Sequence, residues 1–450
     1  MDKVFKIPFT TGLRRMFYLV TPNETSFATT DDVPLIVEEA TPYFFVFIGL
    51  ELCLSVIKQD KRYRMNDAIT SVAAGVFSRL PVVVLQSITL AAYCWVYDNW
   101  RIAQLPWDSA WTWCLCFLGQ DLGYYWFHRF AHEVNFMWAA HQVHHSSEDY
   151  NFSTALRQSI LQVYTSWVFY LPMALCIPPS VFLIHAELNL IYQFWIHTQY
   201  VPYLGPLEYI INTPSAHRVH HGRNPYCIDK NYAGTLIIWD RIFGTYEAES
   251  EEVVYGLTHA LGTFDPLNVQ FGFLQYMVNL FRNYSKWTHK LASLFCGPGW
   301  SPGKPRMGDP ADIPQVESPP VKYDTRVPTW LGLYVLVHFI LINYGYLLLM
   351  ANKKILSHTH LLMFLGFLGL SLSCFGQLFD RKKFGVLLEA ARCTLFLLAD
   401  IVLSYTGFYS LESTSNILQV LRILFVTSLM IWMRNYNDVF GKKEEVEKKK

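Results

Sequence analysis

The stretch His128-Arg-Phe-Ala-His132, followed by His141-Gln-Val-His144-His145, places five histidines in eighteen residues. A helix turns about 100° per residue, so side chains three and four apart project from one face and converge. His217-Arg-Val-His220-His221 repeats the H-x-x-H-H spacing of the second cluster, and its adjacent imidazoles can reach neighbouring metal ions. A single H-x-x-x-H pair arises on ordinary helix faces. Three clusters are a different matter, because imidazoles packed together without a metal would leave buried polar nitrogens unpartnered. The pattern marks a metal site.

Around these clusters the chain has a membrane composition. Of its 450 residues 52% are hydrophobic and 16% charged, against about 25% charged in soluble proteins. Lys plus Arg and Asp plus Glu balance at 36 each, so no overall charge recommends a nucleic-acid partner. The nine cysteines lie mostly in apolar runs, without CxxC or disulfide-framework spacing, and read as buried thiols. Residues 1–40 lack the basic start, apolar core and cleavage site of a signal peptide, so insertion is expected to use internal spans.

Apolar stretches lie at 42–57, 77–97 and 107–127, in two legs of a proline-broken hairpin within 161–198, and at 330–350, 361–379, 384–405 and 417–432. They predict an all-α, polytopic membrane protein of about nine transmembrane helices. Residues 256–300 are amphipathic and are expected on the membrane surface, while 297–328, rich in Pro, Gly and charge, read as a linker that resists packing. The expected domains are 1–106 with two spans, 107–255 with the catalytic core, 256–328 as surface segment and linker, and 329–450 with four spans and a basic tail. Basic runs at 58–64, 380–383 and 441–450 put those ends, and with them every histidine cluster, on the cytoplasmic side; Lys353 and Lys354 fall on the other. His338, His358, His360, Glu389, Arg392 and Asp400 in the last spans are read as residues of the bundle interior.

Helix geometry separates His185 from His197. They are twelve residues apart, about 18 Å along a helix, so both cannot approach one metal pair. His197, at the open end of the hairpin, is expected as the ninth ligand and His185 as a bundle residue. Nine neutral imidazoles without thiolates argue against a structural zinc site and suit two iron ions with positions left for oxygen. Asp121, Tyr125, His128 and His132 form one helix stripe, which makes Asp121 either the partner that orients a ligand imidazole or a cap on a water-filled pocket. Glu133, Glu148 and Asp149 flank the clusters, either bonded to ligands or a cofactor or solvated in a polar loop.

These motifs, with Asn231-Tyr232-Ala-Gly and Trp239-Asp240-Arg-Ile-Phe243-Gly244-Thr245, resemble the membrane fatty acid hydroxylase/sterol desaturase superfamily over residues 110–250. Within it, His144-His145-Ser-Ser-Glu-Asp-Tyr-Asn, Asn212-Thr-Pro-Ser-Ala-His217 and the four-span extension are similar to the branch that oxidises glyceryl ethers. The resemblance implies a non-haem di-iron monooxygenase of the endoplasmic-reticulum membrane. It would use O2 and tetrahydrobiopterin to hydroxylate the ether-linked alkyl carbon of a glyceryl ether, whose hemiacetal falls apart to a fatty aldehyde and a glycerol product. It also implies an ether-lipid substrate. Glu133, beside a ligand histidine, is expected as a contact either of the pterin or of a ligand imidazole, and, because no fused cytochrome b5 His-Pro-Gly-Gly motif is present, reductant is expected from a diffusible donor or a separate protein such as a pterin-recycling reductase. Two rivals remain: a sterol or fatty-acyl hydroxylase or desaturase of the same fold fed by cytochrome b5, and a histidine-rich membrane metal transporter whose ligands would line the spans.

Overall fold

The computed structural model describes residues 6–440 apart from 61, 85–87, 318, 354 and 408–415. The basic tail at 441–450 and Lys61 of the 58–64 run lie outside the described residues. Among the described residues all regular structure is helical, and one isolated antiparallel bridge joins Gly222 and Tyr255. The chain forms two compact units, Met1–Leu261 with Val269–Tyr323, and Gly262–Asn268 with Asp324–Lys450.

The N-terminal part of the first unit contains α1 (Phe9–Met16), α2 (Pro22–Thr25), α3 (Ile36–Lys58), α4 (Met65–Val84) and α5 (Ile88–Trp100). The histidine-bearing part follows with α6 (Ala110–Glu133), α7 (Asn135–His145), α8 (Phe152–Ala155), α9 (Val163–Ser166), α10 (Pro179–Trp195), α11 (Pro214–His221) and α12 (Ile238–Phe243). Then come α13 (Pro266–Asn283) and α14 (Trp287–Phe295). Proline occupies the first turn of both α10 and α11, where its missing N–H costs nothing. Val134, in extended conformation with φ −128° and ψ 116°, breaks the chain between α6 and α7 and lets α7 fold back. The last turn of α6 thereby faces α7.

α10 is the central rod of this unit. Its Leu188, Ile191 and Phe194 pack with Met16, Ile36, Ala40, Tyr43 and Phe44 from α1 and α3. Each such fully buried side chain contributes about 1.5–3 kcal/mol, and the packing fixes where α10 ends and hence where His197 sits.

Among the described residues, four helical segments are long and apolar enough to cross a membrane: Thr30–Lys58, Thr329–Asn352, His358–Phe379 and Asn416–Arg434. Other stretches read as spans take different forms. The first hairpin leg is a short apolar helix, Val163–Leu175, whose larger part is the 3-10 helix Trp167–Leu175 with Pro172 inside it. Proline removes an N–H and opposes α-helical packing, so this leg stays short of the about 20 residues a span needs. The stretch 77–97 is shared between α4 and α5.

The linker at 297–328 also departs from expectation, for it is packed as far as Tyr323. Gly297 N–H donates to the Arg306 carbonyl at 2.8 Å, and the Lys322 ammonium lies 2.7 Å from the Asp149 carboxylate. A main-chain hydrogen bond and an ion pair thus anchor parts of this Pro/Gly-rich segment.

The second unit contains α15 (Thr329–Asn352), α16 (His358–Phe379), α17 (Lys383–Tyr405) and α18 (Asn416–Phe440). Glu389 and Arg392 of α17 form a pair of which no side-chain surface is exposed, with Nη2–Oε1 2.5 Å and Nε–Oε2 2.8 Å. The guanidinium lies between the rings of Phe375 and Phe425, 5.2 and 5.0 Å from their centroids. Arg392 donates to His338 Nδ1 at 3.0 Å, so His338 Nε2–H donates to Ser428 Oγ at 3.0 Å, and that hydroxyl in turn donates to the Leu424 carbonyl at 2.8 Å. Tyr334 OH completes the set by donating to Glu389. A buried pair bonded this fully ties all four helices to one register.

Candidate metal centre

The nine expected ligands, eight singled out by spacing and His197 by its place in the hairpin, gather into two buried groups. His128, His132, His141, His145 and His220 form one, and His144, His197, His217 and His221 the other, with the facing nitrogens of each group all within 4.8 Å of one another. Each H-x-x-H-H motif is divided. His141 and His145 of α7 enter the five-membered group and His144 the other, whereas His217 and His221 of α11 enter the four-membered group and His220 the first. A residue three positions on is displaced round the helix by about 300° and one four positions on by about 400°, which splits each motif between two neighbouring sites. The rings of His145 and His221 stack across the boundary with centroids 4.3 Å apart.

Outer hydrogen bonds fix which nitrogen carries the proton. His144 Nδ1 lies 2.9 Å from the Arg157 carbonyl and His197 Nδ1 2.6 Å from the Gln193 carbonyl. His128 Nδ1 is 2.7 Å from the Tyr232 carbonyl and His220 Nδ1 2.9 Å from the Lys230 carbonyl. A carbonyl only accepts, so in each of these rings Nδ1 bears the hydrogen and Nε2 a lone pair. Yet His197 Nε2 lies 3.2 Å from His144 Nε2, and His128 Nε2 lies 2.9 Å from His141 Nε2, whose own Nδ1–H reaches Gln162 Oε1 at 3.3 Å. Lone pair faces lone pair with no proton between them.

A cation resolves that conflict. Nitrogens bound at about 2.0–2.1 Å to one ion lie about 2.9–3.4 Å from each other, depending on coordination geometry. His197 Nε2 is also 3.2 Å from both His217 Nε2 and His221 Nε2, and the buried Nε2 atoms of His132 and His220 have no hydrogen-bond partner. The donor set fits two metal ions. Burial pushes the imidazolium pKa of His144 down to about 4 and that of His220 to about 3, so both rings are neutral donors at neutral pH.

The fatty acid hydroxylase family matches residues 113–245, which contain all nine histidines, and the alkylglycerol monooxygenase C-terminal domain matches 331–420. Similar proteins include alkylglycerol monooxygenases of Xenopus tropicalis, 54% identical over 86% of each chain, and of Homo sapiens, 52% identical over 86% of this chain and 87% of the other. That of Caenorhabditis elegans is 39% identical over 85% of this chain and 80% of its own. The chain belongs to the alkylglycerol monooxygenase family. No solved structure matches it.

In this member of the alkylglycerol monooxygenase family the acidic residues near the histidines do other work than spacing suggested. The Asp121 carboxylate touches no imidazole. It accepts from the Thr235 and Leu236 N–H groups at 2.8 and 2.9 Å, from Trp239 Nε1 at 3.0 Å and from Asn189 Nδ2 at 2.9 Å, tying the segment after Tyr232 to α6 and α10. Seven residues separate it from His128, about 10 Å along the helix, so a shared stripe could not bring them together. Glu133 likewise contacts no histidine, because its neighbour His132 points about 100° away round the helix. Its carboxylate sits between Arg129 at 2.7 Å and Arg306 at 3.2 Å.

Glu148 and Asp149 are not solvated. Asp149 is held by Arg64 at 3.0 Å and Lys322 at 2.7 Å, and Glu148 accepts from the Tyr323 N–H at 2.6 Å. His185, as expected, is a bundle residue, with Nδ1 2.7 Å from Tyr18 OH and its ring edge-on to Trp113. Spacing gave no hint of the outer partners Gln162, Arg157, Gln193, Lys230 and Tyr232. Four of them act through main-chain carbonyls, which every residue possesses.

Proposed function

We propose that the chain is an O2- and tetrahydrobiopterin-dependent monooxygenase acting on the ether-linked alkyl carbon of glyceryl ethers. The observation that carries the reading is the pair of all-imidazole groups, in a chain whose relatives along most of its length are alkylglycerol monooxygenases. Two iron ions, one in each group, would supply the activation of O2. The chain's own residues supply buried donors, four of them set in one tautomer by backbone carbonyls. A C–H bond next to an ether oxygen is weakened by lone-pair donation, which makes it the preferred point of attack on such a lipid. One atom of O2 enters that bond and the other leaves as water, with two electrons and two protons from the pterin. The hemiacetal then breaks to a fatty aldehyde and the free glycerol hydroxyl.

We place the pterin beside the partly exposed Glu133, whose carboxylate suits the paired N–H donors of an aminopyrimidinone edge, and expect a separate reductase to recycle it. Glu133→Ala should raise the KM for tetrahydrobiopterin about tenfold or more, the scale of a lost charge-assisted hydrogen bond, with the KM for lipid unchanged. A kinetic comparison in one lipid background measures both. The metal-bearing face is assigned to the cytoplasmic side from the distribution of Lys and Arg, and the endoplasmic-reticulum membrane from the likeness to the family and the lipid substrate. We retain about nine membrane-embedded helices, with residues 107–255 as catalytic core between the 1–106 and 329–450 membrane regions. α14 exposes Trp287, Leu291 and Phe295, and the 256–328 segment that contains it is read as resting on the lipid surface.

Purified protein given an alkylglycerol, O2 and tetrahydrobiopterin should release fatty aldehyde, and none when the pterin is omitted. Turnover of a sterol or fatty acyl lipid with NADH and cytochrome b5, and no aldehyde from the ether lipid, would favour the hydroxylase or desaturase alternative. A metal transporter is disfavoured because both histidine groups lie outside the four apolar span candidates.

A further inference from the structure

Three of the five imidazoles in the first group are addressed from behind by one short loop, residues 229–232. The Tyr232 carbonyl faces His128 Nδ1 at 2.7 Å and the Lys230 carbonyl faces His220 Nδ1 at 2.9 Å. The Asp229 carboxylate lies 3.9 Å from His132 Nδ1, on the side of the ring away from its unpartnered Nε2. The loop is held in an unusual shape. Asp229 and Asn231 both adopt left-handed backbone, with φ 58° and 55°, a region Asn and Asp enter more readily than other side chains.

Asn231 is fully buried and locked, its Nδ2 donating to the Ala216 and Glu247 carbonyls at 2.9 and 2.7 Å and its Oδ1 accepting from the Glu247 N–H at 2.8 Å. Asp240 accepts from the Tyr232 and Ala233 N–H groups at 2.8 Å each. Among the described residues the second group has no comparable cradle. His144 and His197 are oriented by the carbonyls of Arg157 and Gln193, far apart in sequence.

We infer that residues 229–232 are an outer cradle dedicated to the five-histidine group, with Asp229 the positioning residue for His132, and that the two metal positions are chemically unequal. The inference rests on the two-iron reading above. At 3.9 Å the Asp229 carboxylate is beyond direct hydrogen-bond reach of His132 Nδ1 and acts on the ring through its charge, which favours the Nδ1–H tautomer and raises the basicity of Nε2, whereas neutral carbonyls do so less strongly. The group that contains His132 is therefore the better electron donor to its ion.

The test uses the full-length protein, loaded with iron and read by metal content and Mössbauer spectroscopy beside turnover. Asp229→Asn keeps the side-chain volume and tolerates the left-handed backbone while removing the charge. It should hold both irons, with the signal of one shifted and that of the other unchanged. Asp229→Ala should bind iron at one position about 10- to 100-fold more weakly, the scale of a lost outer partner, and retain the other. Signals in D229N that are both unshifted, or that shift together, overturn the inference, and D229N alone decides if the alanine variant does not fold. Wild-type protein that takes up no iron would instead count against the two-iron reading.

Discussion

His197→Ala is expected to lose one iron per chain and essentially all turnover, whereas His185→Ala, twelve residues earlier, keeps both. Both side chains are buried and belong to the same segment, His185 within α10 and His197 two residues past its end. Their surroundings differ. His197 Nε2 is the hub of the four-membered group, 3.2 Å from the corresponding nitrogens of His144, His217 and His221. Alanine there removes the donor on which the other three converge, a larger loss than the about 10- to 100-fold associated with an outer partner. His185 reaches no other histidine. Its loss leaves the Tyr18 hydroxyl buried without its acceptor, which costs about 1–3 kcal/mol of stability and nothing in metal content. Iron analysis and aldehyde release on the two purified variants settle the matter, and full iron with wild-type rate in His197→Ala would remove that residue from the centre.

The second large effect is expected in the C-terminal unit. Glu389→Leu strands Arg392 among apolar helices, a loss of about 3–5 kcal/mol for breaking a buried pair. Replacing both partners, as in Glu389→Leu with Arg392→Met, removes the uncompensated charge and should recover most of that loss. Thermal unfolding of the wild type, single variant and double variant in the same detergent gives the comparison. A double variant no more stable than the single one would mean that the pair does more than satisfy itself.

The histidine groups were legible in the sequence because their spacing is a property of the helix, with three- and four-residue steps bringing side chains together whatever surrounds them. His197 was legible for a related reason, since helix length excluded His185. Asp121 and Glu133 do not touch the ligand imidazoles, because nearness in sequence is not nearness in space. Glu133 is one residue from a ligand and a third of a turn away from its face, and Asp121 shares a stripe with His128 but lies two turns below it. The orienting loop stayed hidden because its chemistry resides in the carbonyls of Lys230 and Tyr232, which carry no side-chain signature. The hairpin leg that became a 3-10 helix shows how one proline changes the form of an apolar run without changing its hydropathy.

Electroneutrality imposes a condition on the all-imidazole cage. None of its nine donors brings negative charge, so any cations held there keep their full charge in an interior where Coulomb forces act several times more strongly than in water. Each further positive charge on such an ion is met by no ligand charge, only by carboxylates outside the donor set such as Asp229 behind His132, which favours the lower oxidation state unless an anion arrives from outside. Small anions such as azide and cyanide are accordingly expected to inhibit, and aldehyde release measured against their concentration checks it.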